Sequence, residues 1–354
     1  MIAFIIRKLV YGFLVLSGVV CAVFFLFMAL PGDPAMLTMG QRTDLGSIAA
    51  VNKELGLDKP KPVQFLLYLN DISPVSWHTN SIENKQKYNY VVVFSGSEKC
   101  LVIKFPYLRK SYQTQKSVTA IISAALPNTI VLAFAAIIVA IVIGILLGTF
   151  AAVAHQTWLD SFILFISVLG ISVPSFFSAI LFQWLFAFVL ADYTGLSMTG
   201  SFFMPDIFGE TQWMWANLIL PAITLGLRPV AIITQLTRSS MLDVLSQDYV
   251  RTARAKGLGY SKVVFKHALR NALNPVLTAA SGWFAEMLAG AFFIEMIFGW
   301  NGIGKLTVEA LNKNDFPVLM GSVLFAATIF VFINIIVDIL YGVFDPRISK
   351  KAAS

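Results

Sequence analysis

Of the 354 residues, 57% are hydrophobic and 13% charged, the mean hydropathy is +0.76 and the formal net charge is +7. That balance excludes an ordinary soluble globular domain and makes the bilayer the solvent against which the chain is read. The positive charge would suggest a nucleic-acid partner in a soluble chain; here no Lys or Arg lies between Ser117 and Leu227, and the basic residues gather in loops and at the ends, so their distribution speaks of topology and no nucleic acid is expected.

Residues 9–30 form an uninterrupted apolar run behind Arg7 and Lys8, long enough to span and too long for a signal-peptide core. Val20 before Cys21 is too large for a lipoprotein processing site, so an uncleaved first span with a cytoplasmic amino terminus is expected. Cys21 and Cys100 are read as packing residues without a disulfide. Pro31-Gly-Asp-Pro-Ala35 breaks the helix at the far interface. Residues 31–116 are polar, the one region able to fold outside the bilayer. In it 51–57 reads as helix, and Tyr88 to Phe94 and Cys100 to Phe105 read as a hairpin about Ser-Gly-Ser. Long loops translocate largely regardless of charge, so its basic residues do not decide its side.

The second span is expected over 126–154, with Pro127 in its first turn and Gly144 and Gly148 as a small-residue ridge against another helix. The third, 162–190, should bend at Gly170-Ile-Ser-Val-Pro174; Ser172, Pro174 and Ser175 there are candidate pathway residues, with simple helix packing as the alternative. The fourth, 216–237, should break at Arg228-Pro229, and Arg228 either pairs or faces a water-lined path. The fifth, 273–298, carries Glu286 and Glu295; the sixth, 318–344, carries Asn334 and Asp338. Intramembrane carboxylates are functional-site candidates, either paired with a group such as Arg228 or in contact with substrate. Phe298-Gly-Trp-Asn-Gly-Ile-Gly304 is a glycine-rich turn and not a nucleotide loop, since it does not link a strand to a helix.

The longest charged interruption of the second half runs from Asp248 to Arg270. Asp248 should cap a short helix with Tyr249, Val250 and Ala253 on one face, Gly257 should end it in the left-handed conformation, and Ser261 should cap a second helix running to the fifth span. A detachable knob and a basic loop lying on anionic headgroups both fit this pattern.

Arg251-Thr-Ala253, three residues, Gly257, nine residues, His267-x-Leu269 resembles the cytoplasmic loop of ABC-importer permeases. Asp248-Tyr-Val-Arg-Thr-Ala-Arg-Ala-Lys-Gly257 and His267-Ala-Leu-Arg-Asn-Ala-Leu-x-Pro275 are similar to its form in dipeptide, oligopeptide and nickel permeases. Arg251 and Arg270 depart from the generic glutamate and proline, and Asn301 stands where the family has proline. Pro31-Gly-Asp-Pro-Ala35, Leu55-Gly-Leu-Asp-Lys-Pro-x-Pro-Val63, and Asn334 with Asp338 and Asp345-Pro-Arg347 also resemble the family, while residues 72–104 look like an insertion.

The resemblance implies an all-α polytopic membrane protein of six spans with a small extracytoplasmic α+β insertion: a first span at 1–30, an outer segment at 31–116, a permease core at 117–347 and a tail at 348–354. It implies a bacterial inner-membrane location with both termini cytoplasmic. Its partners are expected to be a second permease, two ATPase subunits that bind ATP and Mg, and an external substrate-binding protein. Asp248, Tyr249, Arg251, Thr252, Ala253, Arg254, Gly257 and His267 are the expected ATPase-coupling residues. No cofactor, metal or catalytic set is expected on this chain, since no nucleotide motif occurs and His78, His155 and His267 are scattered. Peptides are the expected cargo; a nickel chelate or other small solute, or a scaffold or enzyme using the insertion, are the alternatives.

Overall fold

The computed structural model describes residues 2–29, 58–96, 99–206, 208 and 210–344. The expected turn at 31–35, the expected helix at 51–57, the motif from Asp345 and the tail lie outside them. The chain divides into two compact units, one drawn from Met1–Gly12, Leu126–Lys305 and Thr328–Ser354, the other from Phe13–Ala125 and Leu306–Ala327.

In chain order the elements are α1 (Ile2–Ala29), α2 (Lys61–Ile72), β1 (Val75–Thr79), α3 (Ile82–Tyr88), β2 (Val91–Ser95), β3 (Lys99–Ile103), α4 (Val118–Val153), α5 (Trp158–Ser172), α6 (Ser175–Trp184) and α7 (Ala191–Thr194). There follow β4 (Phe203–Pro205), β5 (Thr211–Trp213), α8 (Trp215–Leu245), α9 (Asp248–Ala255), α10 (Tyr260–Lys262), α11 (Leu269–Leu288), α12 (Phe292–Ile297), α13 (Ile303–Asn312) and α14 (Phe316–Phe344). π-helical turns occupy Leu185–Val189 and Val263–Ala268. Among the described residues four helices, α1, α4, α8 and α14, are long and apolar enough to cross a membrane, or five spans if the bent pair α5 and α6 makes one. The expected fifth span is not among them, because α11 carries Asn271, Asn274, Thr278, Ser281 and Glu286 and ends before Gly290 at φ +119°.

Several expected helix boundaries are corrected. Helix α4 begins at Val118, so Pro127 lies well inside it, and α8 runs unbroken through Pro229, where a break was expected, as it does through Pro221. A proline removes one hydrogen bond from the ladder, and both helices are held from outside: Ile137 and Ala140 of α4 meet Ile233 of α8, Val276 and Ala280 of α11, and Leu288 in one buried core. The glycine ridge does what was expected of it. A Cβ at Gly148 would lie 2.5 Å from the Thr234 carbonyl oxygen, and one at Gly144 2.6 Å from the Ile233 side chain, so the two backbones touch.

Glu295 is fully buried and, among the described residues, meets no arginine. Its carboxylate accepts from Thr129 Oγ1 (3.0 Å) and Lys305 N (2.9 Å), capping α13 from the preceding helix α12. Thr129 Oγ1 in turn accepts from Ile303 N at 2.8 Å. A Cβ at Gly302 would sit 2.5 Å from both carboxylate oxygens, so the glycine-rich turn is wrapped around this carboxylate.

In the second unit the expected hairpin is β2 with β3, joined by β1 in the order β1-β3-β2, all antiparallel. Tyr88 ends α3 instead of opening the strand, because Ser81 caps that helix through Asn84 N (3.2 Å) and Asn89 closes it in the left-handed region. One sheet face buries His78, Cys100 and Val102; the other leaves Val75, Trp77, Ile103 and Val91 exposed. Asp71 anchors the unit. Its carboxylate accepts from Arg109 Nε (3.0 Å) and Tyr88 OH (2.9 Å), and its carbonyl accepts from Lys104 Nζ. Phe24 of α1 stacks on Phe65 and Tyr68 of α2, and Asp315 accepts from Ser111 Oγ and Tyr112 N.

Candidate functional site

The segment from Asp248 to Leu288 is built as a short helix, a turn and a long helix. Val250 and Ala253 of α9 are buried with Val263, against Val244, Leu245 and Leu258, while Arg251, Thr252, Arg254 and Lys256 face outward. Tyr249 is half-exposed, and its hydroxyl accepts from Asn271 Nδ2 at 2.8 Å, tying α9 to α11. The Arg254 guanidinium lies 5.5 Å from the Tyr260 ring centre. Arg251 and Asp248 approach to 3.7 Å in full solvent contact, a pairing of little energetic weight.

Two expected caps are corrected. Gln247 occupies the cap position, so Asp248 is the first helical residue and acts only through its charge at the helix start. Gly259, not Ser261, precedes the second helical run, whose first turn therefore already contains Ser261. Gly257 has φ +77°, and its N–H donates to the Arg254 carbonyl at 2.9 Å. A Cβ there would meet nothing within 4 Å, so the position demands glycine for its backbone conformation and not for space. From Tyr260 the chain stays helical through the π turn, where His267 is half-buried and its carbonyl accepts from Asn271, into α11.

A clamp that the sequence did not disclose stands near the end of α8 that leads into α9. Arg238 donates from Nε to Asp160 Oδ1 (2.6 Å) and from Nη2 to Oδ2 (2.7 Å), a two-point fork. His155 Nδ1 lies 3.3 Å from Asp160 Oδ2 and 3.2 Å from Arg238 Nη2. Asp160 is buried in the first turn of α5, so the clamp ties the α4–α5 turn to the stretch of α8 that leads into α9. His155 and Asp160 were visible as a tight turn, but their partner is 78 residues away.

The third feature is a cavity of about 190 Å³ whose lining includes Ser175, Arg228, Trp283, Glu286, Phe292 and Phe293. Three of the seven candidate pathway residues therefore meet: Ser175 at the start of α6, Arg228 on α8 and Glu286 on α11. The chain bends by 105° between α5 and α6, where Pro174 precedes Ser175, and a Cβ at Gly170 would touch the Leu227 carbonyl of α8. The other candidates are elsewhere. Ser172 Oγ donates to the Val168 carbonyl and Asn334 Nδ2 to the Phe330 carbonyl, each within its own helix, and Asp338 forms a 2.6 Å ion pair with Lys8. Among the described residues no group of three His, Cys, Asp or Glu side chains is placed to hold a metal ion.

Residues 141–350 match the family described as binding-protein-dependent transport system inner membrane component, and residues 1–133 match the N-terminal model of that membrane component. The chain is 37% identical to the dipeptide transport system permease protein DppB of Alkalihalophilus pseudofirmus, covering 98% of this chain and 99% of the relative. It is 35% identical to the di/tripeptide transport system permease protein DppB of Pseudomonas aeruginosa (99% and 100% covered) and 32% identical to the glutathione transport system permease protein GsiC of Salmonella paratyphi A (99% and 100%). Its fold is similar to a chain of the inward-facing MetNI methionine ABC transporter, with a TM-score of 0.51 over 63% of this chain and 95% of that one at 15% identity. The chain therefore belongs to the family of binding-protein-dependent transport system inner membrane components, the permeases of ABC importers.

Proposed function

We propose that this chain is the permease subunit of an ATP-driven importer of short peptides, that it crosses the inner membrane six times with both termini in the cytoplasm, and that the insertion at 72–104 stands outside. A second permease, two ATPase subunits that bind ATP and Mg, and an external binding protein complete the transporter; the chain itself does no covalent chemistry. Arg251, Thr252, Arg254 and the rest of the 248–270 loop receive the push of the ATPases. Ser175, Arg228 and Glu286 line the path, with α11 and α12 together forming the fifth crossing. The peptide cargo rests on the names of the relatives.

One observation carries the coupling role: α9 is pinned by Val250 and Ala253, offers a basic outer face, ends at Gly257 with φ +77°, and is followed by one continuous helical run from Tyr260 to Leu288. A rigid shift of such a knob is passed along the helix to Glu286. Gly257→Asp forces a side chain into the left-handed conformation. The reconstituted transporter carrying it is expected to assemble but to lose substrate-stimulated ATP hydrolysis; retained stimulation would refute the coupling role.

A further inference from the structure

We propose that the cavity between α6, α8 and α11 is a subsite for a zwitterion, holding the free carboxylate and free ammonium of a short peptide. The proposal rests on the importer reading above and specifies what its path recognises.

Arg228 and Glu286 line the same cavity from neighbouring helices, yet no hydrogen bond or ion pair joins their side chains to each other or to other described residues. Within the same unit Arg238 and Asp160 close to 2.6 Å, so this unit can pair an arginine with a carboxylate where pairing is the purpose. An unpaired charge inside a span is costly and is kept where it meets water or a ligand. Arg228 lies well inside the candidate span α8, and Glu286 shares its cavity.

The surroundings offer groups of both signs to a zwitterion. Ser175 is the first residue of the ten-residue helix α6, and Pro174 before it caps that helix without a side-chain bond. The first-turn N–H groups and the Ser175 hydroxyl therefore favour an anion in the cavity, as Arg228 does. Glu286 supplies the opposite charge for an ammonium. Trp283, Phe292 and Phe293 make much of the rest apolar, and Arg228 and Glu286 are both exposed, so a ligand can reach either charge. A ligand with one charge would leave the other side chain uncompensated; a short peptide with both ends free satisfies both.

The test uses the whole transporter in lipid nanodiscs, without its binding protein, and the photoreactive dipeptide p-benzoyl-L-phenylalanyl-L-alanine. Labelling is expected in residues 283–294, competed by L-alanyl-L-alanine and not by N-acetyl-L-alanyl-L-alanine amide. Arg228→Gln and Glu286→Gln should each weaken it about tenfold, or roughly 1.4 kcal/mol. They should also split by ligand: Arg228→Gln no longer distinguishes the free carboxylate from the amide, and Glu286→Gln no longer distinguishes the free amine from its acetylated form. Equal competition by the capped dipeptide, labelling elsewhere, or variants that label like the wild type would overturn the subsite. ATP-driven uptake of L-alanyl-L-alanine is measured alongside with the binding protein present. Uptake with charge-blind labelling overturns only the subsite, whereas absent uptake by the wild type overturns the importer reading and the subsite with it.

Discussion

Gly148→Ala tests the contact on which the larger unit depends. The added Cβ would stand 2.5 Å from the Thr234 carbonyl oxygen, 2.6 Å from Thr237 Cβ and 3.1 Å from Arg238 N. Comfortable carbon contacts begin near 3.5 Å, so α4 and α8 must part by roughly 1 Å, and two of the three obstacles are backbone atoms that no rotamer change can move. Alanine favours a helix by about 1 kcal/mol over glycine, while overpacking a tight contact costs about 1–3 kcal/mol. The net expectation is a loss of up to about 2 kcal/mol, a fall in Tm of roughly 4–8 °C at the sensitivity of a domain of this size. Gly282→Ala is the control, since it lies inside α11 of the same unit and nothing lies within 4 Å of its Cβ; it keeps the helix gain and should raise Tm. The assay is thermal melting in detergent followed by tryptophan emission, with Trp300 reporting on this unit because it is fully buried and donates to the Asn128 carbonyl at 3.0 Å. A Gly148→Ala protein that melts with Gly282→Ala would refute the argument that the helix backbones touch.

Asp160→Asn removes the anion from the clamp and leaves Arg238 partly buried without a counter-charge; a loss of roughly 3 kcal/mol is expected, near the low end for breaking such a pair because Arg238 keeps some exposure. Arg238→Lys should lose less, and a melt of Asp160→Asn that matches the wild type would dismiss the clamp. Burial pulls the Lys104 ammonium down from 10.5 to about 8, against the opposing pull of Asp71. The unfolded chain then holds more protons between pH 8 and 10.5, so the unit built from Phe13–Ala125 and Leu306–Ala327 should gain stability as pH rises through that window, by up to about 1.4 kcal/mol per pH unit. Higher still, burial of Tyr68 and Tyr88 raises their hydroxyls, which reverses the trend. Labelling of the buried Cys100 thiol at increasing urea reads this unit, and comparison with Lys104→Met at each pH isolates the lysine's share. A slope that survives Lys104→Met would exclude the lysine as its source.

Much of this architecture was legible because a bilayer simplifies sequences. Uninterrupted apolar runs gave α1, α4 and α14, the small pair Gly144 and Gly148 marked a helix contact, Gly170 to Pro174 marked the bend, and Gly257 marked a left-handed turn. The prolines misled, since Pro127 and Pro229 each cost a local hydrogen bond that tertiary packing outweighs. Helices α2, α3 and α13 were missed; they are short and carry polar residues that read as loop. In the candidate site the knob could be read from local spacing, whereas Asp160 with Arg238 and Lys8 with Asp338 could not, because only tertiary structure chooses partners so far apart. The gathering of Ser175, Arg228 and Glu286 is of the same kind, and Glu295, superficially similar to Glu286, is committed to capping a helix.

The π turn at Val263–Ala268 makes the long helix after the knob something other than a plain rod. A π turn holds one residue more than an α turn, and one residue is about 100° of rotation around a helix axis. A helical wheel drawn straight through residues 260–288 therefore assigns Glu286 to the wrong side. It also follows that the helix carries a built-in gear step: if the extra residue were taken up or let out, everything beyond Leu269 would turn by about a quarter of a revolution relative to Tyr260 with the helix never broken.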